Sequence, residues 1–228
     1  MTAGPSTPRD PRIPPPAVES VATVTTEPPP RGEDSPPIPG PQVLSGYLGG
    51  IPGDVLEVAC GNGAHGAFFA PSLPETTWWP TDVTDERFSS VRAYAAETGN
   101  MREPHLLDVA DQASWDAAPV AEGEAAAVVA INLLHISPWA CTLGLVRGAA
   151  KLLRAGAPLI IYGPFKRGGV FSTESNREFD ENLKGRNPEW GYRDVEAVEE
   201  RAAEQGLALE KVHEMPANNL MLVFRKAV

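Results

Sequence analysis

The chain has 228 residues, enough for one substantial domain whose core needs neither disulfides nor a metal to offset chain entropy. Its formal charge of −11 comes without any lysine or arginine run, which argues against broad phosphate-backbone binding and a nucleic-acid partner. Only two cysteines are present, Cys60 and Cys141, both in apolar or glycine-rich company, so neither a disulfide framework nor a cysteine zinc site is expected.

Thirteen of the 24 prolines fall in residues 1–41, where little helical or alternating periodicity is visible. This predicts a flexible proline-rich tail over 1–41, acting as linker, cover or docking segment, and a globular domain over 42–228. The N-terminal stretch lacks the apolar core of a secretory signal, and no apolar run is long enough to span a bilayer. A soluble cytoplasmic protein with no membrane partner is the expectation.

From residue 53 strand-like and helix-like segments alternate. DVLEVAC (54–60) reads as a buried strand stopped by glycines, and AHGAFFAPSL begins the helix after it. TTWWPTD is a second strand and DERFSSVRAYAAETG a helix with a glycine stop. HLLDV gives a third strand, followed by a short helix near DQASWDAA. AAAVVAIN is the fourth, ACTLGLVRGAAKLLRAG the next helix, and PLIIYG the fifth strand. FSTESNREFDENLKGRNPEWGYRD is long and polar for a connection, the kind of insertion that carries binding function or a lid. The last two strands, LALEKVHEM and NLMLVFRK, are separated only by the turn PANN. Strands joined by helices require crossovers, so a doubly wound α/β domain with a mostly parallel sheet and a C-terminal antiparallel hairpin is predicted.

EVACGNGAHG places Gly61, Gly63 and Gly66 in the spacing G-x-G-x-x-G between strand and helix, where backbone N–H groups can meet a ligand. Asp82 ends the second strand and suits ribose hydroxyls. The pattern fits a dinucleotide or S-adenosylmethionine equally. Glu57, inside an apolar strand, favours the cationic S-adenosylmethionine over a pyrophosphate, although it could instead serve only backbone donors or a surface base. Cys60 reads as packing. His65 reads either as a capping-region residue or as a wall of the ligand pocket.

INLLHISPW (131–139) is a strand exit, where ligands of open α/β sheets sit. Asn132 can orient a ligand there, and His135 can take a proton because its ordinary pKa lies near neutrality; the competing reading makes His135 a fixer of the SPW turn. Trp139 either walls the pocket or packs on the core. Tyr162, ending the fifth strand, can turn its phenol to the same crevice. In the polar insertion Asn176 and Asp180 share a helix face, with Arg193 further on; capping for Asn176 and a surface pair for Asp180 and Arg193 are the alternatives. Asn218 and Asn219 suit the hairpin turn without any further role.

Taken together, VLEVACGNGAH, WWPTD, LLDV, INLLHISPW, YGPF, SNREFDENL, WGYRD and MPANN resemble the methyltransferase-like 26 family, a domain-of-unknown-function group of predicted S-adenosylmethionine-dependent methyltransferases. The resemblance runs in order over residues 53–226. It implies a seven-stranded sheet of the class I methyltransferase type with the cofactor over the carboxyl ends of the central strands. By position it implies Glu57, Gly61 and Gly63 around the methionine part, Asp82 at the ribose, Leu107 and Asp108 at the adenine, and Asn132 near the transferable methyl. The hairpin asparagines Asn218 and Asn219 would reach the substrate pocket, with Trp139, Asn176 and Arg193 as further substrate candidates.

The implied reaction is in-line methyl transfer to an O, N or S atom of a small molecule, with His135 as first candidate for the base and Asp180 as second. Two rivals stand beside it: a nicotinamide-dependent oxidoreductase, allowed by the glycines and Asp82, and a non-catalytic cofactor-binding module docked through the proline-rich tail.

Overall fold

The computed structural model describes residues 41–228. The proline-rich tail expected over residues 1–41 therefore lies outside the described residues except for Pro41, which opens the first helix.

Seven strands form one continuous sheet: β1 (Gly53–Val58), β2 (Thr76–Asp82), β3 (His105–Leu106), β4 (Ala127–Ile131), β5 (Pro158–Lys166), β7 (Leu207–Met215) and β8 (Asn219–Lys226). Their order is β3-β2-β1-β4-β5-β8-β7. All neighbours are parallel up to β5; β8 then runs antiparallel to both β5 and β7. The expected seven-stranded path with its terminal hairpin is present. An eighth strand, β6 (Arg193–Asp194), adds two residues alongside Phe165 and Lys166 at the end of β5.

The sheet is covered on both faces. On one side α1 (Pro41–Leu48), α2 (Ala64–Phe69) and α3 (Phe88–Glu97) bury Leu44, Leu48, Phe69 and Val91 against Val129 and Ile131. On the other, α4 (Gln112–Asp116), α5 (Trp139–Leu152) and α7 (Val195–Ala203) bury Trp115, Leu145 and Val198 against Val128 and Ala130. β4 is buried at every residue, as its unbroken run of alanine, valine and isoleucine demands of a central parallel strand.

One expectation needs adjusting, and further elements stand beside those expected. HLLDV yields only a two-residue strand, because Leu107 N–H still bonds to the Asp82 carbonyl while the chain then turns under Asp108. The polar insertion holds α6 (Glu174–Arg186) as well as β6, and α7 follows at its end. Helix α7 hides among charged residues, yet Val195, Val198 and Ala202 repeat at helical spacing and are buried.

Candidate functional site

Parallel β1, β2 and β4 end on the same edge of the sheet, and a cleft of about 550 Å³ opens there. Its floor is the glycine loop. Gly61 and Gly63 take φ values of 57° and 84°, which favour glycine, and a side chain on Gly63 would press on Val91 at 3.2 Å. Asn62 Oδ1 accepts the Ala64 N–H, supplying a donor-bearing helix start with its partner. β1 and β4 both leave the sheet through left-handed residues, Ala59 (φ 54°) and Asn132 (φ 57°), each lining the cleft. Asparagine tolerates that conformation; alanine does so at a cost of about 1 kcal/mol, the sort of local strain that gathers at functional sites.

Among the expected ligand-binding residues, Gly61, His65, Asp82 and Asn132 are brought together in this cleft. Asp82 is poised by two backbone donors, Gly61 N–H to Oδ2 and Val83 N–H to Oδ1, both at 2.8 Å. Leu107 and Asp108 line an adjoining apolar lobe of about 340 Å³, which shares Ala59, Leu133 and Ile136 with the cleft.

Glu57 lies one layer lower. It is 1% exposed, accepts the Trp78 indole N–H at 2.7 Å through Oε2, and leaves Oε1 buried without a hydrogen-bond partner. His65 Nδ1 stands 3.7 Å from that oxygen, between it and the cleft. Burial pushes the Glu57 carboxyl up to about 8, with nearby Asp82 adding repulsion against Trp78's opposing hydrogen bond. Neither backbone donors nor a surface base explain it. Gly66 makes the arrangement possible, because a side chain there would come within 2.7 Å of the indole nitrogen. Cys60 is buried and its thiol is pushed far up by desolvation, so it packs rather than reacts.

The stretch after β4 forms a short 3₁₀ turn, Leu134–Ile136. Its His135 is 7% exposed and packs towards Gly163 of β5, which the Asn132 amide oxygen also approaches. Burial first, then the Arg193 charge, lower its pKa to about 4. The near-neutral titration expected of it is therefore replaced by a permanently neutral imidazole at pH 7, a weak base.

Arg193, expected to meet a substrate, instead clamps this turn. Its guanidinium donates to the carbonyls of Leu134 (3.0 Å), Ser137 and Glu189 (2.9 Å) and lies over the Trp139 ring at 5.7 Å. Trp139 itself packs on the core under that guanidinium. Gly191 N–H adds a bond to the His135 carbonyl at 3.0 Å.

Asp180, 2% exposed, is also committed: Oδ1 accepts Tyr192 N–H and Oδ2 accepts Lys184 Nζ, both at 2.6 Å. It lines neither the cleft nor its apolar lobe, and among the described residues it forms no ion pair with Arg193. It ties α6 to the 187–193 loop that braces His135. Asn176 takes part in capping α6, accepting the Thr173 hydroxyl at 2.8 Å and donating to Ser172.

Tyr162 O–H accepts from Asn219 Nδ2 at 3.0 Å, and burial raises its pKa. A protonated phenol there can donate but does not abstract. The Tyr162 carbonyl accepts the Asn132 N–H at 2.8 Å, joining the two strand ends. Asn218 and Ala217 form the hairpin turn with φ of 56° and 58°.

The cleft also contains Asn62, Thr84, Arg87 and Ile136, and the lobe contains Val83, Cys141 and Trp190, none of which motif reading singled out. For Ile136 a signal existed, since it lies inside HISPW; in the structure it is 42% exposed. Arg87 and Trp190 come from loops whose approach to this edge depends on the whole fold.

The pattern described as "Protein of unknown function (DUF938)" matches residues 35–226. In structure the chain resembles an O-methyltransferase family protein from Burkholderia thailandensis, at 16% identity and a TM-score of 0.65, covering 76% of this chain and 51% of that one. Against that protein the chain spans about half the length. It also resembles geranyl diphosphate C-methyltransferase from Streptomyces coelicolor A3(2), solved with Mg2+, geranyl diphosphate and S-adenosyl-L-homocysteine, at 9% identity and a TM-score of 0.65, covering 82% and 76%. A geranyl diphosphate methyltransferase solved with GPP and sinefungin matches at 12% identity and a TM-score of 0.64, covering 82% and 76%. At such identities the likeness establishes a class I methyltransferase fold.

Proposed function

Since the chain belongs to the family described as Protein of unknown function (DUF938), we propose that it is a cytoplasmic S-adenosylmethionine-dependent methyltransferase of the methyltransferase-like 26 group, acting on an O, N or S atom of a small-molecule acceptor. The catalytic domain is taken as residues 42–228, with the proline-rich 1–41 outside it. One observation carries this reading: a cleft over the ends of β1, β2 and β4 that joins an acid-tipped β2 to an apolar lobe. No helix among the described residues is long and apolar enough to cross a membrane.

The residues present fit the cofactor. Asp82 offers carboxylate acceptors for ribose hydroxyls, and Leu107 and Asp108 border a lobe of the right character for adenine. Gly61, Gly63 and His65 surround the position for the methionine part, and the orphaned Glu57 Oε1 lies buried beneath it as an acceptor whose ionisation a bound cation would favour. S-adenosylmethionine, when bound, supplies a methyl group on a good leaving group.

The chain's own task is then to align and to exclude water, effects that supply much of the acceleration in bimolecular transfers. Asn132 orients the reacting groups from its left-handed position. Neutral His135 and protonated Tyr162 hydrogen-bond at the strand ends without needing to take a proton first. Arg193 and Asp180 hold the turn and α6 in register as positioning residues.

The nicotinamide alternative requires a dinucleotide-binding sheet whose sixth strand continues the parallel series; here β8 lies antiparallel next to β5. Calorimetric titration with S-adenosylhomocysteine and with NAD tests the proposal. Wild type is expected to bind the former and not the latter, with Asp82→Ala weakening it by about 10- to 100-fold, the range of one charge-assisted hydrogen-bonding group. Preference for NAD, or no response to S-adenosylhomocysteine, overturns it. Binding without any labelled methyl product from a metabolite extract would instead indicate a non-catalytic module.

A further inference from the structure

A second cavity, of about 280 Å³, opens at the far end of β5. It is lined by Phe165, Val170, Phe171, Ser172, Asn218 and Leu220. Arg167 and Glu214 border it as an ion pair at 2.8 Å, both well exposed.

Its position follows from strand geometry. Gly163 and Phe165 are two residues apart on β5 and share a face, and Leu220 of β8 pairs with Gly163 on that face. A Cβ on Gly163 would lie 3.4 Å from the His135 ring and 3.9 Å from the Asn132 amide oxygen. The cavity thus begins about 7 Å along the strand, one residue pair, beyond the point where the turn after β4 meets β5. Asn132 at that point lines the main cleft.

Its chemistry is mixed, with the charged side chains Arg167 and Glu214 at the mouth. Two phenylalanine rings and two aliphatic side chains give apolar walls. Ser172 Oγ accepts from Asn176 Nδ2 at 3.2 Å, which leaves its own O–H free to donate. Asn218 Nδ2 donates to Asn176 Oδ1 at 3.5 Å, and among the described residues no side-chain or backbone donor meets the Asn218 amide oxygen. Arg167 and Glu214 pair with each other at the mouth, and the Lys166 ammonium is engaged over the Phe171 ring at 5.5 Å, so neither carboxylate nor guanidinium there is left without an opposite charge.

Resting on the methyltransferase reading above, we propose that this cavity is the acceptor subsite, and that it takes small uncharged molecules with one flat apolar ring and a hydroxyl or amide-like group. The ring lies against Phe165 and Phe171; the polar group meets Ser172 and Asn218. The volume sits near the lower end of small-molecule pockets, about 300 Å³ and up, which restricts the acceptor to little more than a substituted ring.

The test uses full-length protein saturated with S-adenosylhomocysteine and three probes of one ring: phenol, benzoate and benzylamine. Ligand-observed saturation-transfer NMR should detect phenol at least fivefold more strongly than either charged ring. Ser172 is exposed, so Ser172→Trp fills the cavity from its rim without disturbing the core. It should abolish the phenol signal while leaving S-adenosylhomocysteine titration unchanged, whereas Ser172→Ala, which loses the same Asn176 hydrogen bond but leaves the cavity open, should keep phenol binding. Asn218→Asp, which keeps a residue tolerant of the left-handed turn, should shift preference at least fivefold towards benzylamine, a response that a merely structural role would not produce. Equal phenol binding by wild type and Ser172→Trp, or a stronger signal from a charged ring in wild type, refutes the subsite. Failure of wild type to bind S-adenosylhomocysteine would refute the methyltransferase reading instead, and calorimetry detects that before any probe is added.

Discussion

Glu57→Gln isolates the buried carboxyl under the glycine loop. In the folded protein its pKa rises from 4.5 to about 8, chiefly by desolvation, and Oε1 has no partner. Between those two values the folded chain holds a proton that the unfolded chain has released, so wild-type stability falls as pH rises through that window. At about 1.4 kcal/mol per pH unit the loss reaches on the order of 5 kcal/mol by pH 8. Glutamine keeps the shape and the Trp78 acceptor but cannot ionise. Urea denaturation of both proteins without cofactor, at unit steps from pH 5 to 9, should show the variant gaining on wild type by about 1 kcal/mol or more per step and levelling above pH 8. The gain should be accompanied by weaker binding of S-adenosylmethionine, because glutamine cannot ionise in response to the cationic amino-acid end. Parallel stability curves across pH 5–8 would refute the reasoning, since they would mean that ionised Glu57 already has a partner in the folded protein.

His135 is held neutral down to about pH 4 by burial and by Arg193. Methyl-transfer rates should therefore show no limb near pH 6.5 attributable to it, and stability should drop as pH falls from 6.5 towards 4, where the unfolded chain binds the proton first; a rate inflection near 6.5 that disappears in His135→Asn would contradict this. Arg193→Lys keeps the charge but loses the planar fork that spans three carbonyls. A loss of about 1–3 kcal/mol in denaturant unfolding is expected, together with a lower kcat and little change in S-adenosylhomocysteine affinity. An unaltered kcat would remove the bracing role assigned to the 187–193 loop.

Much of the scaffold was legible along the chain. TTWWPTD forms β2 over the residues its pattern marks, Thr76–Asp82, and the closing pair with its PANN turn became the antiparallel β7–β8 hairpin. These segments carry their instructions locally, in apolar runs and turn residues. Helix α7 did not announce itself, because three buried positions are spread among glutamates and an arginine. The placing of Asp180 and Arg193 was legible only in part. Helix spacing puts Asp180 beside Asn176, but spacing does not reveal that its oxygens meet Lys184 and Tyr192 N–H, nor that Arg193 reaches across 56 to 59 residues to backbone carbonyls.

By itself the sequence determined the alternation of strand and helix, the glycine-rich turn and the reversed final strand, since each depends on side-chain pattern over a few neighbouring residues. The tertiary structure alone decided that Glu57 lies beneath His65, that His135 stays uncharged, and that the arginine expected at a ligand grips a turn. Those outcomes depend on desolvation and on charges brought near from distant parts of the chain, quantities that exist only once the sheet has closed.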